Sequence, residues 1–182
     1  MTGGSITGNN AAYGGGVYTV NEFKMTGGSI TGNNAYKSDY ISTFGGGVCV
    51  GSGIFTVSGE VTVTDNTKGG TKGADGKFTG DTKNNVYLST GKTITIGTDK
   101  LSEGAQLGVT VSGDYGDYPF TSGWNDNMSD KTPSDYFISD TDGYVAKLNG
   151  SELKMVTHVH NWTYAASGDT ITATCKNCSN NN

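Results

Sequence analysis

The sequence Met-Thr-Gly-Gly-Ser-Ile-Thr-Gly-Asn-Asn-Ala occupies residues 1–11 and occurs again at residues 25–35, offset by 24 positions. An internal repeat of this size predicts a solenoid, in which each coil can bury its apolar side only against the next coil. Because Met1 corresponds to Met25 in the middle of a coil, we expect Met1 to be an internal residue of a longer chain.

Weaker copies of two other motifs continue the repeat. A Gly-Gly-Gly-Val-Tyr motif and a Phe-Lys-Met-Thr-Gly motif each occur once and return twice with substitutions. The copies are residues 14–18, 45–49 and 84–87 for the first motif, and residues 23–27, 55–59 and 94–97 for the second. Residues 29–33 also align with residues 62–66 if one extra residue is allowed near Glu60. Together these motifs predict about four coils.

Apolar residues alternate over short runs within each repeat, as in Thr93-Ile94-Thr95-Ile96. This alternation is typical of β-strands, and no stretch has helical spacing over a useful length. Three short strands with their turns fit into 24 residues, whereas a propeller blade needs roughly 40 to 45. The sequence therefore predicts an all-β fold, a parallel β-helix of about four coils.

Equal positions of successive coils should stack about 4.8 Å apart. We therefore expect Val17, Val48 and Val86 to share one column and Phe23 to lie under Phe55. The asparagines at one repeat position, Asn33 and Asn66, should form a ladder of hydrogen-bonded amides.

The repeat divides the chain into three predicted parts. Residues 1–112 form the coils, residues 113–156 form a cap, and residues 157–182 form a small β-hairpin tail or the start of a further module. An open end of stacked strands would expose unpaired edges, so a cap is physically required. The cap segment contains many aromatic residues, which favour packing over a platform for sugar binding. These residues are Tyr115, Tyr118, Phe120, Trp124, Tyr136, Phe137 and Tyr144.

Two insertions, residues 37–44 and 67–83, lengthen the second and third coils. Loops that leave a solenoid usually decorate one face, which is often a binding face. Their composition, rich in Lys, Gly, Asp and Thr in the second insertion, equally suits a solvated spacer, and this is the interpretation we favour.

Composition excludes some classes of protein. Apolar residues make up 33% of the chain and charged residues 16%, the net charge is −5, and there is no arginine. A nucleic-acid-binding protein would need a basic face, which this chain lacks. No run of 18 apolar residues could cross a membrane as a helix. A surface made mostly of Thr, Ser, Asn and Gly suits an extracellular protein.

The tail contains the most suggestive chemistry. His158 and His160 are followed by Cys175 and Cys178, and two imidazoles with a Cys-x-x-Cys pair supply four ligands suited to tetrahedral zinc. Residues 162–164 and 170–174 alternate like two strands joined at Gly168-Asp169, which would bring both pairs to one end. A Cys175–Cys178 disulfide and free thiols remain alternatives to a zinc site.

The motifs in residues 1–156 resemble those of right-handed parallel β-helix repeat proteins secreted by gut Clostridia and related anaerobes. The resemblance rests on residues 25–33, the Gly-Gly-Gly-Val-Tyr turn, and residues 85–88 followed by residues 91–96. It implies a right-handed helix and a large, modular, adhesin-like surface protein. Its relatives would include polymorphic outer-membrane proteins and pectin-lyase-like enzymes.

The residues argue against the enzymes among these relatives. Pectate lyases use an arginine base beside calcium held by aspartates, and this chain has no arginine. Hydrolases use paired carboxylates, but Asp65 is the one acid at a clear repeat position, where a turn residue is expected. Residues 140–143, Asp-Thr-Asp-Gly, lack the later ligands of a calcium loop and also indicate a turn. Cys49 replaces a stacked tyrosine and should be a packed residue.

The sequence thus predicts a non-catalytic structural or adhesive module of a bacterial cell-surface protein, part of a larger multidomain chain. Its expected partner is a carbohydrate or a host-surface ligand, with no nucleic acid involved. The alternative is a polysaccharide-binding or polysaccharide-degrading β-helix whose active coils lie upstream.

Overall fold

The computed structural model describes residues 1–36, 42–74, 78–79, 82–113, 118–159 and 161–175. Within these residues the chain is mostly β-structure with two short helices. The strands are β1 (Ser5–Thr7), β2 (Asn10–Ala11), β3 (Val17–Thr19), β4 (Glu22–Thr31), β5 (Asn34–Ala35), β6 (Val48–Val50), β7 (Ile54–Thr64), β8 (Thr67–Lys68), β9 (Thr71–Lys72), β10 (Phe78–Thr79), β11 (Thr82–Lys83), β12 (Val86–Leu88), β13 (Ile94–Leu101), β14 (Gln106–Val111), β15 (Thr121–Ser122), β16 (Phe137–Ser139), β17 (Tyr144–Asn149), β18 (Glu152–Thr157), β19 (Trp162–Ser167) and β20 (Thr170–Cys175). The helices are α1 (Trp124–Met128) and a 3-10 helix, η1 (Pro133–Asp135).

Ten of the described strands form one large, curled sheet with parallel pairing. Its main path runs β1–β4–β7–β14–β12–β6–β3, while β13 pairs with β7 and β15, and β16 pairs with β14. A smaller sheet, called the corner sheet below, has the order β2–β5–β8–β11. The prediction of an all-β chain built on parallel strands is therefore confirmed.

The valine column predicted from the repeat is present. Val17 pairs with Val48, and Val48 pairs with Val86. The column continues to Val109, one level further than the sequence motifs indicate. Since paired residues of parallel strands point to the same side of a sheet, Val48, Val86 and Val109 are all fully buried in the core.

A second column and the predicted one-residue insertion are also confirmed. Phe23 pairs with Phe55, and Phe55 pairs with Ile94. The two phenylalanine rings stack with centroids 5.4 Å apart and an angle of 10° between their planes. The register between β4 and β7 shifts by one residue just before Glu60. Gly59 lies at this shift with φ +68°, a conformation that glycine adopts without steric cost.

Parallel pairing continues past residue 112, where the repeat is no longer visible in the sequence. β15 adds to β13, and β16 adds to β14. The end of the core beyond these strands is covered by α1 and by the antiparallel pair β17–β18. Large side chains of this segment lie in the same core as the stacked strands: Phe120, Trp124, Met128, Tyr136, Phe137, Leu153 and Met155.

One glutamate joins the helix to the hairpin that covers the core. Glu152 begins β18, and its carboxylate accepts hydrogen bonds from the backbone N–H groups of Gly123 (2.6 Å) and Trp124 (3.1 Å). The same carboxylate accepts a hydrogen bond from the Thr121 hydroxyl at 2.9 Å. A negative charge at a helix N-terminus satisfies N–H groups that have no partner within the helix.

The tail contains the antiparallel hairpin that the sequence predicts. β19 pairs with β20 from Trp162–Cys175 at the open end to Ser167–Thr170 at the turn, where Gly168 has φ +59°. Most of its described residues are exposed, and Ile171 is 73% exposed. A two-stranded hairpin with so little burial is marginally stable by itself.

The second insertion forms a short ribbon where the sequence suggests a spacer. β8 pairs with β11, and β9 pairs with β10, both in antiparallel orientation. Residues 37–41 of the first insertion lie outside the described residues. Phe44, at the end of that insertion, forms an isolated parallel bridge with Tyr13.

Candidate functional site

A cleft of about 470 Å³ lies where the corner sheet ends. Residues 64–85 connect Val63 to Val86 by way of the corner sheet, whereas the next level connects their partners, Leu107 and Val109, through Gly108 alone. At this level the connection is a single residue, so no strand of the described chain stacks on this end of the corner sheet and a cleft remains there. The cleft is lined by Thr64, Asp65, Asn66, Thr67, Lys83, Asn85, Gln106, Gly108, Ile138, Ser139 and Asp140.

A ladder of side-chain amides, the asparagine ladder, reaches this cleft at Asn66 and Asn85, which both line it. The predicted pair is present, because the backbone N–H and Nδ2 of Asn33 both donate to Oδ1 of Asn66 at 3.0 Å. The ladder begins one step earlier, at Asn9, which donates in the same way to Asn33. It extends one step further to Asn85, which accepts from Asn66 at 2.8 and 3.1 Å.

Asp140 ends the ladder. Its carboxylate accepts hydrogen bonds from the backbone N–H of Asn85 at 2.7 Å and from Nδ2 of Asn85 at 2.6 Å. The Thr110 hydroxyl donates a third bond at 2.8 Å. Burial raises the pKa of the Asp140 carboxyl above its ordinary value, and the hydrogen bonds from Asn85 and Thr110 oppose this rise.

The sequence analysis missed the role of Asp140, although a signal for it exists. We interpreted residues 140–143 as a turn, and Gly143 does have the positive φ of a turn glycine. The missed signal is a spacing: in four of the five ladder members, the Asn or Asp follows an apolar strand residue by three positions, and Asn85 is the exception. The pairs are Ile6–Asn9, Ile30–Asn33, Val63–Asn66 and Phe137–Asp140.

Gly108 is expected to be indispensable for the junction between Asn85 and Asp140. A Cβ atom at Gly108 would lie 2.6 Å from Oδ1 of Asp140 and closer still to Nδ2 of Asn85. Because both atoms are held by hydrogen bonds, we expect Gly108→Ala to lower the free energy of unfolding by about 2 to 4 kcal/mol. Urea unfolding measures this change.

Gly3→Ala is the matched control, since an added Cβ there would have no neighbour within 4 Å and φ is not positive. It should change the stability by less than about 0.5 kcal/mol. Equal stabilities of the Gly108→Ala and Gly3→Ala variants would contradict the importance of this junction.

The remaining polar groups of the cleft have few bonds to the rest of the chain. Asp65 has φ +56°, as expected for a turn residue, and its exposed carboxylate accepts one long hydrogen bond from Thr64 (3.3 Å). The side chains of Lys83 and Gln106 are exposed at the cleft. Ile138, which is 43% exposed, adds an apolar surface. These polar side chains can donate hydrogen bonds to a neutral polar molecule and accept hydrogen bonds from it, while Ile138 offers an apolar contact.

Two carboxylates line the cleft, Asp65 and Asp140, and their hydrogen bonding differs. Glycoside hydrolysis needs one carboxyl group as acid and a second as base or nucleophile. Asp65 and Asp140 both line the cleft, but both oxygens of Asp140 accept hydrogen bonds from the ladder and from Thr110. The Asp140 carboxylate thus uses three of its roughly four acceptor sites within the chain, whereas that of Asp65 accepts one long hydrogen bond.

The proposed zinc ligands fall mostly outside the described residues. His160 and Cys178 lie there, and for Cys175 the structure gives the backbone alone, paired with Trp162. His158 is buried, and its backbone N–H donates to the carbonyl of Gly143 at 2.7 Å. Within the described part of the chain no group of three or more His, Cys, Asp or Glu residues is placed to hold a metal. The zinc site stays a prediction.

Cys49 is a packed residue, as expected. It pairs with Tyr18 on one side and Tyr87 on the other, and it is 3% exposed. Burial raises the pKa of its thiol to about 11, which keeps the thiol protonated and unreactive near neutral pH. Cys49 is therefore unsuited to nucleophilic catalysis.

The stacked parallel strands and the asparagine ladder together define a class of protein. It is an all-β chain in which successive repeats stack on one another. Comparison with protein-family models, with curated proteins and with solved structures gives no match to this chain. In the described residues no helix is both long and apolar enough to span a membrane.

Proposed function

We propose that this chain is a non-catalytic structural and adhesive module of a secreted bacterial surface protein, built as a right-handed parallel β-helix. The in-register columns through Val48 and Phe55 support the stacking of coils that this fold requires. The module would belong to a larger multidomain chain and would present its insertions and cleft to a carbohydrate or a host surface.

The main support for a non-catalytic role is the hydrogen bonding of the Asp140 carboxylate. A catalytic carboxyl must exchange protons with a substrate or attack it, so it needs a lone pair that the substrate can reach, and a carboxylate has about four lone-pair sites in all. In the cleft, the Asp140 oxygens accept three hydrogen bonds from Asn85 and Thr110. This carboxylate holds the last levels of the stack together, which is a structural task.

Composition supports the location and the kind of partner. The net charge of −5 and the absence of arginine disfavour binding to nucleic acid. A surface with few charges and many hydroxyl and amide groups suits an extracellular protein and can form hydrogen bonds with sugars. The resemblance to secreted β-helix repeat proteins supports the same location.

The second candidate is a polysaccharide-binding module, or part of a polysaccharide-degrading enzyme whose active residues lie on other coils. The cleft favours this candidate because it places the exposed side chains of Asp65, Lys83 and Gln106 beside the apolar surface of Ile138. A few convergent polar groups with an apolar contact are typical of ligand sites.

Assays on polysaccharides test the absence of catalysis. Incubation of the purified chain with pectin, xylan and mucin glycans should release no reducing ends and no unsaturated products. Release that disappears in Asp65→Asn and persists in Asp126→Asn, an exposed aspartate on α1, would establish an enzyme instead.

Binding to the same polysaccharides, immobilised on a surface, tests the adhesive part of the proposal. If the cleft binds sugar, Gln106→Ala should weaken retention about tenfold, the effect of one or two lost hydrogen bonds. Asn125→Ala, which removes an exposed amide from α1, should leave retention unchanged. Equal retention of both variants would place any binding outside the cleft, and no retention on any surface would contradict adhesion to these glycans.

A further inference from the structure

Four polar groups meet beside the end of the asparagine ladder. The Thr110 hydroxyl donates to Oδ2 of Asp140 at 2.8 Å and accepts from Nδ2 of Asn84 at 3.0 Å. Asn84 precedes Asn85 in the chain and is not a member of the ladder. Its Oδ1 accepts from the backbone N–H of Gly45 at 2.5 Å. A hydroxyl, a carboxylate, an amide and a backbone donor are thus connected by direct hydrogen bonds.

The orientation of the Asn84 amide follows from these partners. A backbone N–H can only donate, so the amide atom that faces Gly45 must be the oxygen. The amide nitrogen then faces Thr110, whose own proton is directed to Asp140. An amide C–N bond is about 1.33 Å long, so the amide carbon lies within about 4.3 Å of the Thr110 hydroxyl oxygen. A shift of about 1 Å would bring the two atoms to attack distance.

This arrangement contains the parts that acyl transfer requires. A hydroxyl nucleophile needs a base within hydrogen-bond reach, and Asp140 is in that position for Thr110. Burial raises the pKa of the Asp140 carboxyl, which makes its carboxylate a stronger proton acceptor. The carbonyl oxygen that gains negative charge needs a donor, which Gly45 supplies. Asn84 has no exposed surface, so water is kept from its carbonyl group.

We propose that Thr110 and Asn84 react with each other to form an ester bond within the chain. Oγ1 of Thr110 attacks Cγ of Asn84, and the hydroxyl proton passes to Asp140. The oxyanion of the tetrahedral intermediate accepts the hydrogen bond from Gly45. The Cγ–Nδ2 bond then breaks, and Nδ2 takes the proton from Asp140 and leaves as ammonia. A hydroxyl and an amide thus give an ester and ammonia, with no oxidant or other co-reactant, and Asp140 is again a carboxylate.

The ester would be a covalent bridge between two levels of the stack. Asn84 lies two residues before Val86 of β12, and Thr110 lies one residue after Val109 of β14, the partner of Val86. A bond that closes the loop of residues 84–110 would restrict the unfolded chain. Contact between the two groups favours the reaction, and loss of the released ammonia by dilution keeps it from reversing. Because it occurs once and uses no outside substrate, the reaction goes beyond the proposed structural function.

A second threonine–asparagine contact in the same sheet region lacks the base. The Thr67 hydroxyl donates to Oδ1 of Asn34 at 3.0 Å, so its proton is directed to the amide and not to a carboxylate. We expect no ester between Thr67 and Asn34. This pair is therefore an internal control for the reaction of Thr110.

Mass spectrometry of the purified full chain, incubated at neutral pH, tests the proposal. Its mass should be lower than that of the sequence by one molecule of ammonia. A protease that cleaves after lysine would release residues 84–92 and residues 101–131 as separate peptides from a chain without the ester. With the ester they should appear as one joined species, which hydroxylamine separates. The peptides with Asn34 and Thr67, residues 25–37 and 38–68, should stay separate.

Substitutions assign the roles of the reacting groups. Thr110→Val removes the nucleophile and Asp140→Asn removes the base, so each should eliminate the joined species and restore the full mass. Thr110→Ser keeps a hydroxyl and should still form the ester. Thr56→Val removes a half-buried hydroxyl from β7 and should leave the joined species unchanged.

Three results would overturn the proposal, and the first needs no variant to fold. The wild-type chain could keep its full mass and give residues 84–92 and 101–131 as separate peptides. The loss of ammonia could map to another site, such as the exposed Asn149-Gly150 turn, where an asparagine can cyclise onto its own backbone. Asp140→Asn could form the joined species as completely as the wild-type chain, which would exclude Asp140 as the base.

Discussion

Replacement of Asn66 by alanine is expected to lower the free energy of unfolding by about 3 to 5 kcal/mol. Asn66 is fully buried at the centre of the ladder, and its Nδ2 donates to the carbonyls of Ile30 and Thr64, both at 2.7 Å. Its Oδ1 accepts both donors of Asn33. Alanine can replace none of these bonds and leaves the buried backbone N–H of Asn33 without its acceptor. Urea unfolding followed by circular dichroism measures the loss.

Asn10→Ala is the matched control for this change. Asn10 belongs to the first repeat and is exposed, so its replacement should cost less than about 0.5 kcal/mol. A cost below about 1 kcal/mol for Asn66→Ala would mean that the ladder adds little to stability, and the structural interpretation of Asp140 would lose its main support.

Val48→Asp is expected to be at least as damaging, with a loss of about 4 kcal/mol or more. Val48 lies in the middle of the valine column between Val17 and Val86 and has no exposed surface. A carboxylate at this position would be buried among apolar side chains with no cationic partner. We expect the variant to be largely unfolded, as measured by loss of the β-sheet signal and by proteolysis.

Val20→Asp makes the same chemical change at a position that is 52% exposed. Because the new carboxylate would remain in water, this variant should unfold within about 1 kcal/mol of the wild-type chain. If the two aspartate variants were equally stable, the valine column could not be the core of the protein.

The parts of the fold that follow from the repeat could be predicted from the sequence. Val17, Val48 and Val86 occupy the same position in successive repeats, which places them in one column. The single extra residue beside Glu60 is visible in the alignment of the repeats. These features are predictable because each repeat meets a neighbour of nearly the same sequence. The hairpin about Gly168 was predictable for a local reason, since turn residues separate two alternating runs.

The cleft was less accessible to sequence analysis. Asp65 was identified as a turn residue and has the expected positive φ. Its position in the same cleft as Lys83 and Gln106 depends on the one-residue connection through Gly108. That connection lies beyond the clearest repeats in the sequence. The right-handed helix, the adhesive function and the division at residues 112 and 156 stay predictions, as does the zinc site at His158, His160, Cys175 and Cys178.

The sequence by itself determined the parallel stacking, the register of the apolar columns and the Asn33–Asn66 step of the ladder, because a repeat carries the same short-range pattern at every level. Only the tertiary structure decided how the ladder ends. Asn85 joins the ladder from the position just before β12, and Asp140 joins it from 55 residues further along the chain. Both are recruited because a buried amide must find a partner, and the nearest partner in space need not be near in sequence.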